Sequence, residues 1–387
     1  MKIICHYSEI GLKGKNRSFF EKTLAQNIKK ALKKAFFKNV KRMSGRILIN
    51  LSKKGESNQK EIKKRLKRVF GLANFSFAKN IPQNINSLKK NALLTLKEKK
   101  FSSFKIETKR SNKNFPLNSL EVNQKVGEKI LKNIKKDIKV DLENPDIICF
   151  IEIVEDKAYI YTEKIKAFGG LPVGTGGKAV SLISGGIDSP VASWYGIKRG
   201  LKLTFIHFHA YPFTNKTSIE KVEKIVSLLN QYQFKSKLYL VPFANIQKQI
   251  MLNAPGKLRV ILYRRFMLRI AEKIAKKEKA SALLTGGNLG QVASQTIENI
   301  RETESAINLP VLRPLIGFDK GEIINIAKTI NTLLISNQPD QDCCSRFVPK
   351  HPETKANPGE AKKGESSLNV DGLIKKAIEN IKLKTFK

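Results

Sequence analysis

The chain has 387 residues, which is enough for two or three domains with separate cores. It carries 73 Lys and Arg against 33 Asp and Glu, a net charge of +40 that calls for a polyanionic partner, by default nucleic acid. Four scattered cysteines exclude a secreted disulfide framework, and there is no signal peptide or run of 18 apolar residues. We therefore expect a soluble, cytosolic protein with no membrane partner.

The first part of the chain mixes strand and helix patterns and holds most of the excess charge. Residues 1–100 contain 27 Lys and Arg and only 5 Asp and Glu. Patterns of alternating and helical hydrophobicity predict strands at Lys2–Tyr7, Arg46–Leu51, Phe104–Thr108 and Tyr159–Thr162, with helices at Ser18–Phe37, 60–70 and Ser119–Ile134. This order predicts small α+β domains. The expected RNA phosphate contacts are Lys13, Lys15, Arg17, Lys64 and Arg68.

A glycine-rich stretch at 169–177 reads as a linker, and the pattern changes after it. Strands are predicted at Ala179–Ile183, Leu203–His207, Lys237–Pro242, Ala282–Thr285 and Pro310–Arg313, alternating with helical stretches such as Leu258–Ile274. Repeated strand–helix units predict a doubly wound, mostly parallel sheet that binds its ligand at the carboxyl ends of the strands. The chain is polar from 355 to 368, and a last basic helix is predicted at Val370–Leu383.

The first of these strands leads into Ser184-Gly185-Gly186-Ile187-Asp188-Ser189, with Pro190 at the start of a helical pattern. Adjacent glycines allow consecutive N–H groups to converge on an anion, and the helix start adds its own free N–H groups. Asp188 or Ser189 is a candidate cap for that helix, and Pro190 suits its first position. The segment is not a Walker A loop, because no Gly-Lys-Ser/Thr follows it.

This string resembles the PP-loop of ATP pyrophosphatases, enzymes that leave AMP on a substrate oxygen and release pyrophosphate. Several groups share that loop, but other segments resemble the tRNA 4-thiouridine synthase (tRNA sulfurtransferase) family in order along nearly the whole chain. These segments are residues 8–17, His207-Phe208-His209, Pro212-Phe213-Thr214, 289–296, Arg313-Pro314-Leu315 and Asp342-Cys343-Cys344.

The resemblance implies an α/β protein with N-terminal α+β ferredoxin-like and THUMP domains, followed by a doubly wound parallel-sheet PP-loop ATP pyrophosphatase domain. We expect the boundaries at 1–59, 60–165, a linker at 166–177, 178–350, and a basic C-terminal tail with a helix at 351–387. The implied activity is adenylation of uridine 8 of tRNA with ATP, followed by sulfur transfer to give 4-thiouridine, AMP and pyrophosphate. The implied partners are tRNA and a cysteine desulfurase that supplies persulfide, and a homodimer is compatible with the family.

Each part of the site has predicted residues. We expect Ser184, Gly185 and Gly186 to hold the pyrophosphate, with hydroxyl donors from Ser184 and Ser189, and Asp188 to hold Mg²⁺, unless it serves only as a helix cap. By resemblance, the adenosine pocket is formed by Leu182, Ile183, His207, Phe208, Arg264, Gly286 and Gln295. Also by resemblance, Cys343 is the sulfur carrier, and Cys344 is expected to release sulfide or to form a disulfide with the donor. His207 and His209 share a strand face at a spacing that suits metal, but no third ligand is near in sequence, so no metal is expected there.

Some features depart from the family pattern. The chain is expected to lack the C-terminal rhodanese domain of many members, which makes a role in thiamine thiazole synthesis weak or absent. Pro339-Asp-Gln-Asp342 stands where an aromatic residue and a glutamate are usual, and Thr285-Gly286-Gly287-Asn288 has Gly and Asn where Glu and Ser are usual. The alternatives are another PP-loop enzyme, such as a 2-thiouridylase, an amidotransferase partner or argininosuccinate synthase, and a non-enzymatic tRNA-binding chaperone.

Overall fold

The computed structural model describes residues 1–134, 137–339 and 352–387, which form two compact units, Met1–Leu171 and Pro172–Lys387. In the first unit the strands are β1 (Lys2–His6), β2 (Phe37–Met43), β3 (Arg46–Leu51), β4 (Asn74–Pro82), β5 (Ser103–Arg110), β6 (Lys139–Val140), β7 (Ile147–Val154), β8 (Lys157–Tyr161) and β9 (Ile165–Lys166). Its helices are α1 (Arg17–Leu32), α2 (Lys53–Ser57), α3 (Gln59–Lys67), α4 (Ile85–Lys97) and α5 (Ser119–Asn133). No helix in these described ranges is long and apolar enough to cross a membrane.

The first unit is built on one continuous sheet in the order β2-β3-β1-β4-β8-β7-β5-β6, with β9 beside β4. Strand β4 joins its two halves, because residues 74–78 pair with β1 and residues 79–82 pair with β8. Helices α4 and α5 cover one half through Leu88, Val122 and other fully buried apolar side chains. The sequence analysis expects a domain boundary at 59/60, but the two halves share one sheet through β4.

The N-terminal helix is shorter than the sequence pattern predicts. The pattern runs from Ser18 to Phe37, but α1 ends at Leu32, and Lys33 follows with a φ of 59°. Phe37 already belongs to β2, in which only Phe37, Val40 and Met43 are half-buried and two exposed residues stand between each, so the strand lacks the usual alternation. Pairing with β3, which no local pattern reveals, decides this segment.

A buried ion cluster stands at the centre of this sheet. Glu152 of β7 is 1% exposed, forms ion pairs with Arg46 (3.0 Å) and His6 (2.8 Å), and accepts a hydrogen bond from the Tyr161 hydroxyl (2.6 Å). Burial alone raises the pKa of Glu152, but the hydrogen bond and charge of His6, with Arg46 and Tyr161, lower it to about 2. The folded state therefore favours the ionised carboxylate, and its contribution to stability is lost as the pH falls from about 4.5 through about 2.

We predict that Glu152→Gln lowers the free energy of unfolding by about 3 kcal/mol at pH 7, because Arg46 loses its buried counter-charge. The difference from the unmodified protein should shrink as the pH approaches 3, where the native carboxylate begins to lose its advantage. Thermal unfolding of the full chain and hydrogen exchange of β1 and β7 measure the effect. Glu143→Gln, at an exposed position, is the matched control. Equal melting temperatures for the two variants at pH 7 would contradict the prediction.

In the second unit the strands are β10 (Lys178–Leu182), β11 (Lys202–His209), β12 (Ser236–Pro242), β13 (Ala282–Leu284), β14 (Val311–Leu312) and β15 (Lys382–Phe386). Its helices are α6 (Asp188–Lys198), α7 (Thr217–Gln233), α8 (Ala244–Asn253), α9 (Arg259–Glu278), α10 (Ile297–Glu304), α11 (Lys320–Thr329), α12 (Leu333–Ser336), α13 (Glu360–Gly364) and α14 (Val370–Glu379).

The sheet of the second unit has the order β14-β13-β10-β11-β12-β15, and its first five strands are parallel. The chain starts at β10 in the middle, moves outward through β11 and β12, and then crosses back to β13 and β14. The strand order therefore reverses between β10 and β13, where doubly wound sheets bind their ligands. This confirms the predicted fold class.

The C-terminal segment is part of the fold and corrects the expectation of a tail. The predicted helix Val370–Leu383 ends at Glu379, and Lys382–Phe386 forms β15, antiparallel to β12. Glu365 is buried and makes bidentate ion pairs with Arg265 (2.9 and 3.0 Å) and contacts Arg269. Tertiary contacts fix a segment whose lysine-rich composition looks disordered in isolation.

Candidate functional site

The loop after β10 lies at the point where the strand order reverses, and its shape is held by serine hydroxyls. The Ser189 hydroxyl accepts a hydrogen bond from the Ser184 N–H (2.9 Å) and lies 3.1 Å from the Ser184 hydroxyl. Below it, the fully buried Ser193 hydroxyl donates to the Ser189 carbonyl (2.7 Å) and contacts the Ser181 hydroxyl (2.8 Å). Four serines thus connect the strand, the loop and the helix. Ser189 acts on the loop itself in this geometry, rather than only as a donor to a ligand.

The main-chain N–H groups in the first turn of α6 can bind an anion. The residue before the helix, Ile187, makes no side-chain capping bond, and Asp188 and Ser189 are the first two helical residues, so neither is the cap that the sequence suggests. Pro190 is third in the helix, still within the turn whose N–H groups have no intrahelical acceptor. These free N–H groups and the positive end of the helix dipole form an anion-binding site.

The two glycines of the loop have ordinary backbone angles. Neither Gly185 nor Gly186 has a positive φ, so this turn does not use the left-handed backbone region that favours glycine. The Gly186 N–H lies 3.3 Å from the Ser184 hydroxyl, and its carbonyl accepts a hydrogen bond from Ser336 of α12 (3.1 Å). Gly186 is exposed, which leaves its main chain open to a ligand.

Asp188 meets two polar side chains that come from distant parts of the sequence. Lys320, the first residue of α11, lies 2.6 Å from one Asp188 carboxylate oxygen, and the Gln291 amide donates to the other at 3.3 Å. The pair is partly exposed, with side-chain exposures of 46% for Lys320 and 25% for Asp188. The open helix start therefore has both an acidic and a basic side chain beside it.

Sequence reasoning missed Lys320, Gln291 and Ser336. Lys320 follows Asp319, whose side chain accepts a hydrogen bond from the Glu322 N–H and caps α11. That capping pattern is visible in the sequence and predicts the helix start, but not its position beside Asp188. Gln291 lies within the segment 289–296 that carries the family resemblance, so its neighbourhood was a usable signal.

The residues expected around adenosine lie at the ends of neighbouring strands. Ile183 and His207 are buried, and the His207 Nδ1 is 3.0 Å from the Ile183 carbonyl. Phe208 is buried too, with its ring edge-on to Phe243 at 5.4 Å, so it belongs to the core. Because adjacent strand residues point to opposite faces, Phe208 reaches the His207 face only through its main chain. Leu182 is half-buried against the same core.

Gly286 and Gln295 stand on the other side of the reversal point. A Cβ at Gly286 would lie 2.6 Å from the Ser189 nitrogen and 2.7 Å from its Cα, so the end of β13 touches the first turn of α6. The amide oxygen of Gln295 is buried and has no hydrogen-bond partner in the described part of the chain. An acceptor left unpaired in this way suits a ligand N–H donor.

The two adjacent arginines of α9 have different environments. Arg265 is 2% exposed and is fully committed to Glu365, the Ser305 hydroxyl (2.7 Å) and the Glu302 carbonyl. Arg264 is half-buried. Of the pair, Arg264 therefore remains the one predicted to contact a nucleotide.

Two further expectations concern metals and sulfur. The described residues contain no group of three or more His, Cys, Asp or Glu side chains that could hold a metal ion, and Asp188 stands as a single carboxylate.

Cys343 and Cys344 lie outside the described residues. The other two cysteines, Cys5 and Cys149, are buried, and burial raises the pKa of the Cys149 thiol to about 12. These two are therefore unreactive thiols.

An anion site at the reversal point of a doubly wound sheet, beside a predicted nucleotide pocket, defines a nucleotide-binding enzyme of the PP-loop class. Matches to models of known protein families identify the family within this class. Residues 174–370 match the thiamine biosynthesis protein (ThiI) model, residues 2–76 the ThiI ferredoxin-like domain, and residues 82–163 the THUMP domain. The chain belongs to the ThiI family.

Similar proteins support this membership along the whole chain. A probable tRNA sulfurtransferase of Moorella thermoacetica is 43% identical, over 99% of this chain and 97% of that protein. One from Caldanaerobacter subterraneus subsp. tengcongensis is 45% identical, over 98% of each. The crystal structure of a 4-thiouridine synthetase–RNA complex with bound ATP aligns with a TM-score of 0.90 at 40% identity, covering 100% of this chain and 99% of that one. PH1313 from Pyrococcus horikoshii aligns with a TM-score of 0.65 at 28% identity, covering 85% and 99%.

The close approach at Gly286 generates a prediction. Gly286→Ala should weaken ATP binding at least about 10-fold, because its Cβ would push main-chain atoms at the start of α6 that cannot rotate away. Gly287→Ala is the matched control, since the atoms nearest to its Cβ lie at 3.5 Å or beyond. Calorimetric titration with ATP gives the affinities, and circular dichroism confirms that both variants fold. Wild-type affinity in a folded Gly286→Ala protein would refute the proposed contact.

Proposed function

We propose that the protein is an ATP-dependent tRNA sulfurtransferase that adenylates uridine 8 of tRNA and converts it to 4-thiouridine, releasing AMP and pyrophosphate. The single observation that carries the proposal is the uncapped start of α6 beside Asp188 and Lys320, in a chain that resembles a 4-thiouridine synthetase from end to end. The family membership and the relatives identify the chain as an enzyme.

The proposed chemistry releases pyrophosphate rather than phosphate. Uracil O4 is a poor leaving group, so it is first bonded to the α-phosphorus of ATP as the bond to pyrophosphate breaks. The N–H groups at the start of α6 and the Lys320 ammonium stabilise the negative charge that develops on the leaving group. The loop itself contains no lysine, and Lys320 supplies the positive charge that a Walker A loop carries within its own sequence.

Mg²⁺ fits this site only in a limited way. Proteins hold Mg²⁺ through one or two carboxylates together with substrate phosphates and water, and Asp188 offers one carboxylate, now shared with Lys320 and Gln291. We propose that Asp188 is the protein ligand of an ATP-bound Mg²⁺, which would neutralise charge on the phosphates. Lys320 would then release the Asp188 carboxylate and bind a phosphate oxygen instead.

The first unit is proposed to bind the tRNA. Its strong positive charge supports this role, and Lys15 and Lys64 are exposed as a phosphate contact requires. Arg17 is less suitable, because its guanidinium is held by Glu21 (2.9 Å) and the Tyr7 hydroxyl (2.8 Å), and the Lys13 ammonium lies 5.3 Å from the centre of the Phe20 ring. Backbone recognition of this kind needs no base code.

For the sulfur step we propose that a cysteine desulfurase transfers persulfide sulfur to Cys343. The Cys344 thiolate then attacks the inner sulfur, forming a Cys343–Cys344 disulfide and expelling sulfide, which displaces AMP from C4. A thiol reductant must then restore both cysteines. The described residue Ser336 supports this assignment, because it precedes Cys343 by seven positions and bonds to the loop carbonyl of Gly186.

We place the enzyme in the cytoplasm with its tRNA substrate. A contribution to thiamine thiazole synthesis is expected to be weak or absent. A homodimer is compatible with the proposal, and light scattering of the full chain measures it.

The first prediction from this proposal concerns Asp188. Asp188→Asn should lower tRNA-dependent formation of AMP and pyrophosphate at least about 100-fold, because it removes the charge that holds Lys320 and Mg²⁺. Binding of tRNA should be unchanged. Asp156→Asn, at an exposed carboxylate of the first unit, is the control. Products are measured by chromatography of labelled ATP, and release of ADP and phosphate by the wild-type enzyme would contradict the mechanism.

The second prediction concerns the cysteine pair. Cys343→Ala should retain adenylation and lose thiolation from a persulfide donor, since the sulfur carrier is gone. Cys344→Ala should lose less activity, or recover with free sulfide. Mass spectrometry of tRNA nucleosides measures 4-thiouridine. If Cys343→Ala thiolates from a persulfide donor at the wild-type rate, Cys343 is not the carrier.

A further inference from the structure

A second cleft opens beside the nucleotide site and is not used by the proposed chemistry. It has a volume of about 690 Å³ and lies where β11 and β12 end, against α7, α8, α14 and β15. Tyr211, Pro212 and Phe213, which lie just after β11, form one wall of the cleft. Pro212 and Phe213 also belong to the family motif 212–214, which has no role in the predicted adenosine pocket. We call it the lysine-rimmed cleft.

The wall of this cleft presents two aromatic rings to solvent. Tyr211 is 43% exposed and Phe213 is 47% exposed, while the floor includes the buried side chains of Leu240, Ile246 and Ala377. Exposed aromatic side chains next to an apolar floor suit the face of a nucleic-acid base, since stacking works with any base.

His209 supplies a polar group at the inner end of the cleft. It is 9% exposed, and its Nδ1 is buried without a hydrogen-bond partner in the described residues. Burial, together with the nearby His207 and Lys382, lowers the pKa of His209 to about 4. The ring is therefore neutral near pH 7 and has one donor and one acceptor nitrogen, which suits the polar edge of a base.

The rim of the cleft is positively charged. Four exposed lysines line it, and the described lining residues include no Asp or Glu: Lys216, Lys248, Lys376 and Lys382. The Lys216 ammonium lies 5.3 Å from the centre of the Tyr211 ring. A ligand with a planar apolar face and a negatively charged backbone complements this arrangement.

The cleft lies at the same edge of the sheet as the nucleotide site. His209 is two residues beyond His207 on β11, so the two rings share one face of the strand. One belongs to the expected adenosine pocket, and the other lines the cleft one strand further out. Residues two apart on a strand are separated by about 7 Å, so one polynucleotide can contact both the expected adenosine pocket and the cleft.

We propose that the lysine-rimmed cleft binds one unstacked nucleotide of the RNA substrate, next to the target uridine, with its base against Tyr211 and Phe213 and its phosphates near the lysines. This inference rests on the proposed function, because it takes tRNA as the substrate. It assigns to the second unit an RNA contact of its own, which holds the RNA strand unstacked near the site of chemistry.

The direct test is photocrosslinking of the full-length enzyme to a tRNA transcript that contains 5-iodouridine in place of uridine. We expect mass spectrometry to find crosslinked peptides that contain Tyr211 or Phe213. Tyr211→Ala and Phe213→Ala should each raise the KM for tRNA about 5- to 100-fold, with ATP binding unchanged. Tyr211→Phe should retain near-normal values because it keeps the ring. Leu334→Ala, at an 81% exposed apolar residue outside the cleft, is the control.

The rim is tested separately by salt. Lys376→Ala with Lys382→Ala should reduce the slope of log KM against log salt by about 1.4, which corresponds to two single-strand phosphates. Lys273→Ala with Lys277→Ala, at exposed positions of α9, should produce a smaller change.

The outcomes separate this inference from the proposed function. If the wild-type enzyme forms 4-thiouridine but no crosslink reaches the cleft, and the alanine variants keep the wild-type KM, the cleft inference is wrong and the function stands. Crosslinks in the cleft without 4-thiouridine formation would instead refute the function. A third outcome is that the alanine variants lose sulfur transfer from a protein persulfide donor but still bind tRNA and use free sulfide. This result would show that the cleft binds the donor protein and would overturn the inference.

Discussion

The site depends on main-chain N–H groups that the fold leaves without acceptors at the start of α6. A capping side chain would have occupied them, and the residue at the cap position, Ile187, provides none. Instead, the Ser189 hydroxyl turns back to hold the Ser184 main chain, and Gly286 allows the end of β13 to touch the same turn. The anion site is therefore already formed without a ligand, which is the condition for electrostatic stabilisation at low reorganisation cost.

The charges around this helix start come from elements far apart in the chain. Lys320 pairs with Asp188 across 132 positions, and both side chains are partly exposed. Such a pair contributes no more than about 1 kcal/mol to stability, so an incoming phosphate can displace it at little cost. The arrangement keeps a lysine ready at the site, while Asp188 compensates its charge in the absence of ligand.

The first unit solves a different physical problem, since a surface with so many lysines repels itself. One continuous sheet, with β4 shared between its halves, gives this surface a stiff support. The buried pair of Glu152 and Arg46 adds a charged contact that bulk salt screens poorly, unlike the exposed lysines. The unit can therefore remain folded despite the repulsion among its outer charges.

The sequence was sufficient for the class of site but not for its details. The Ser-Gly-Gly-x-Asp-Ser string after an apolar run indicated a phosphate loop, and the alternation of strands and helices after residue 177 predicted the doubly wound sheet, because both signals are local. The end of α1 at Leu32, the strand β2 and the strand β15 were not predictable, since pairing with distant strands overrides the local lysine-rich pattern.

Within the site, local patterns named Asp188 and the two glycines but suggested a side-chain cap from Asp188 or Ser189 that the fold does not use. Only the tertiary structure decided that Arg265 is committed to Glu365, which leaves Arg264 as the candidate for a ligand. It alone also brought Lys320, Gln291 and Ser336 to the loop. The reason is physical: hydrophobic periodicity and turn residues encode which elements form, whereas the partners of a polar side chain are set by how those elements pack.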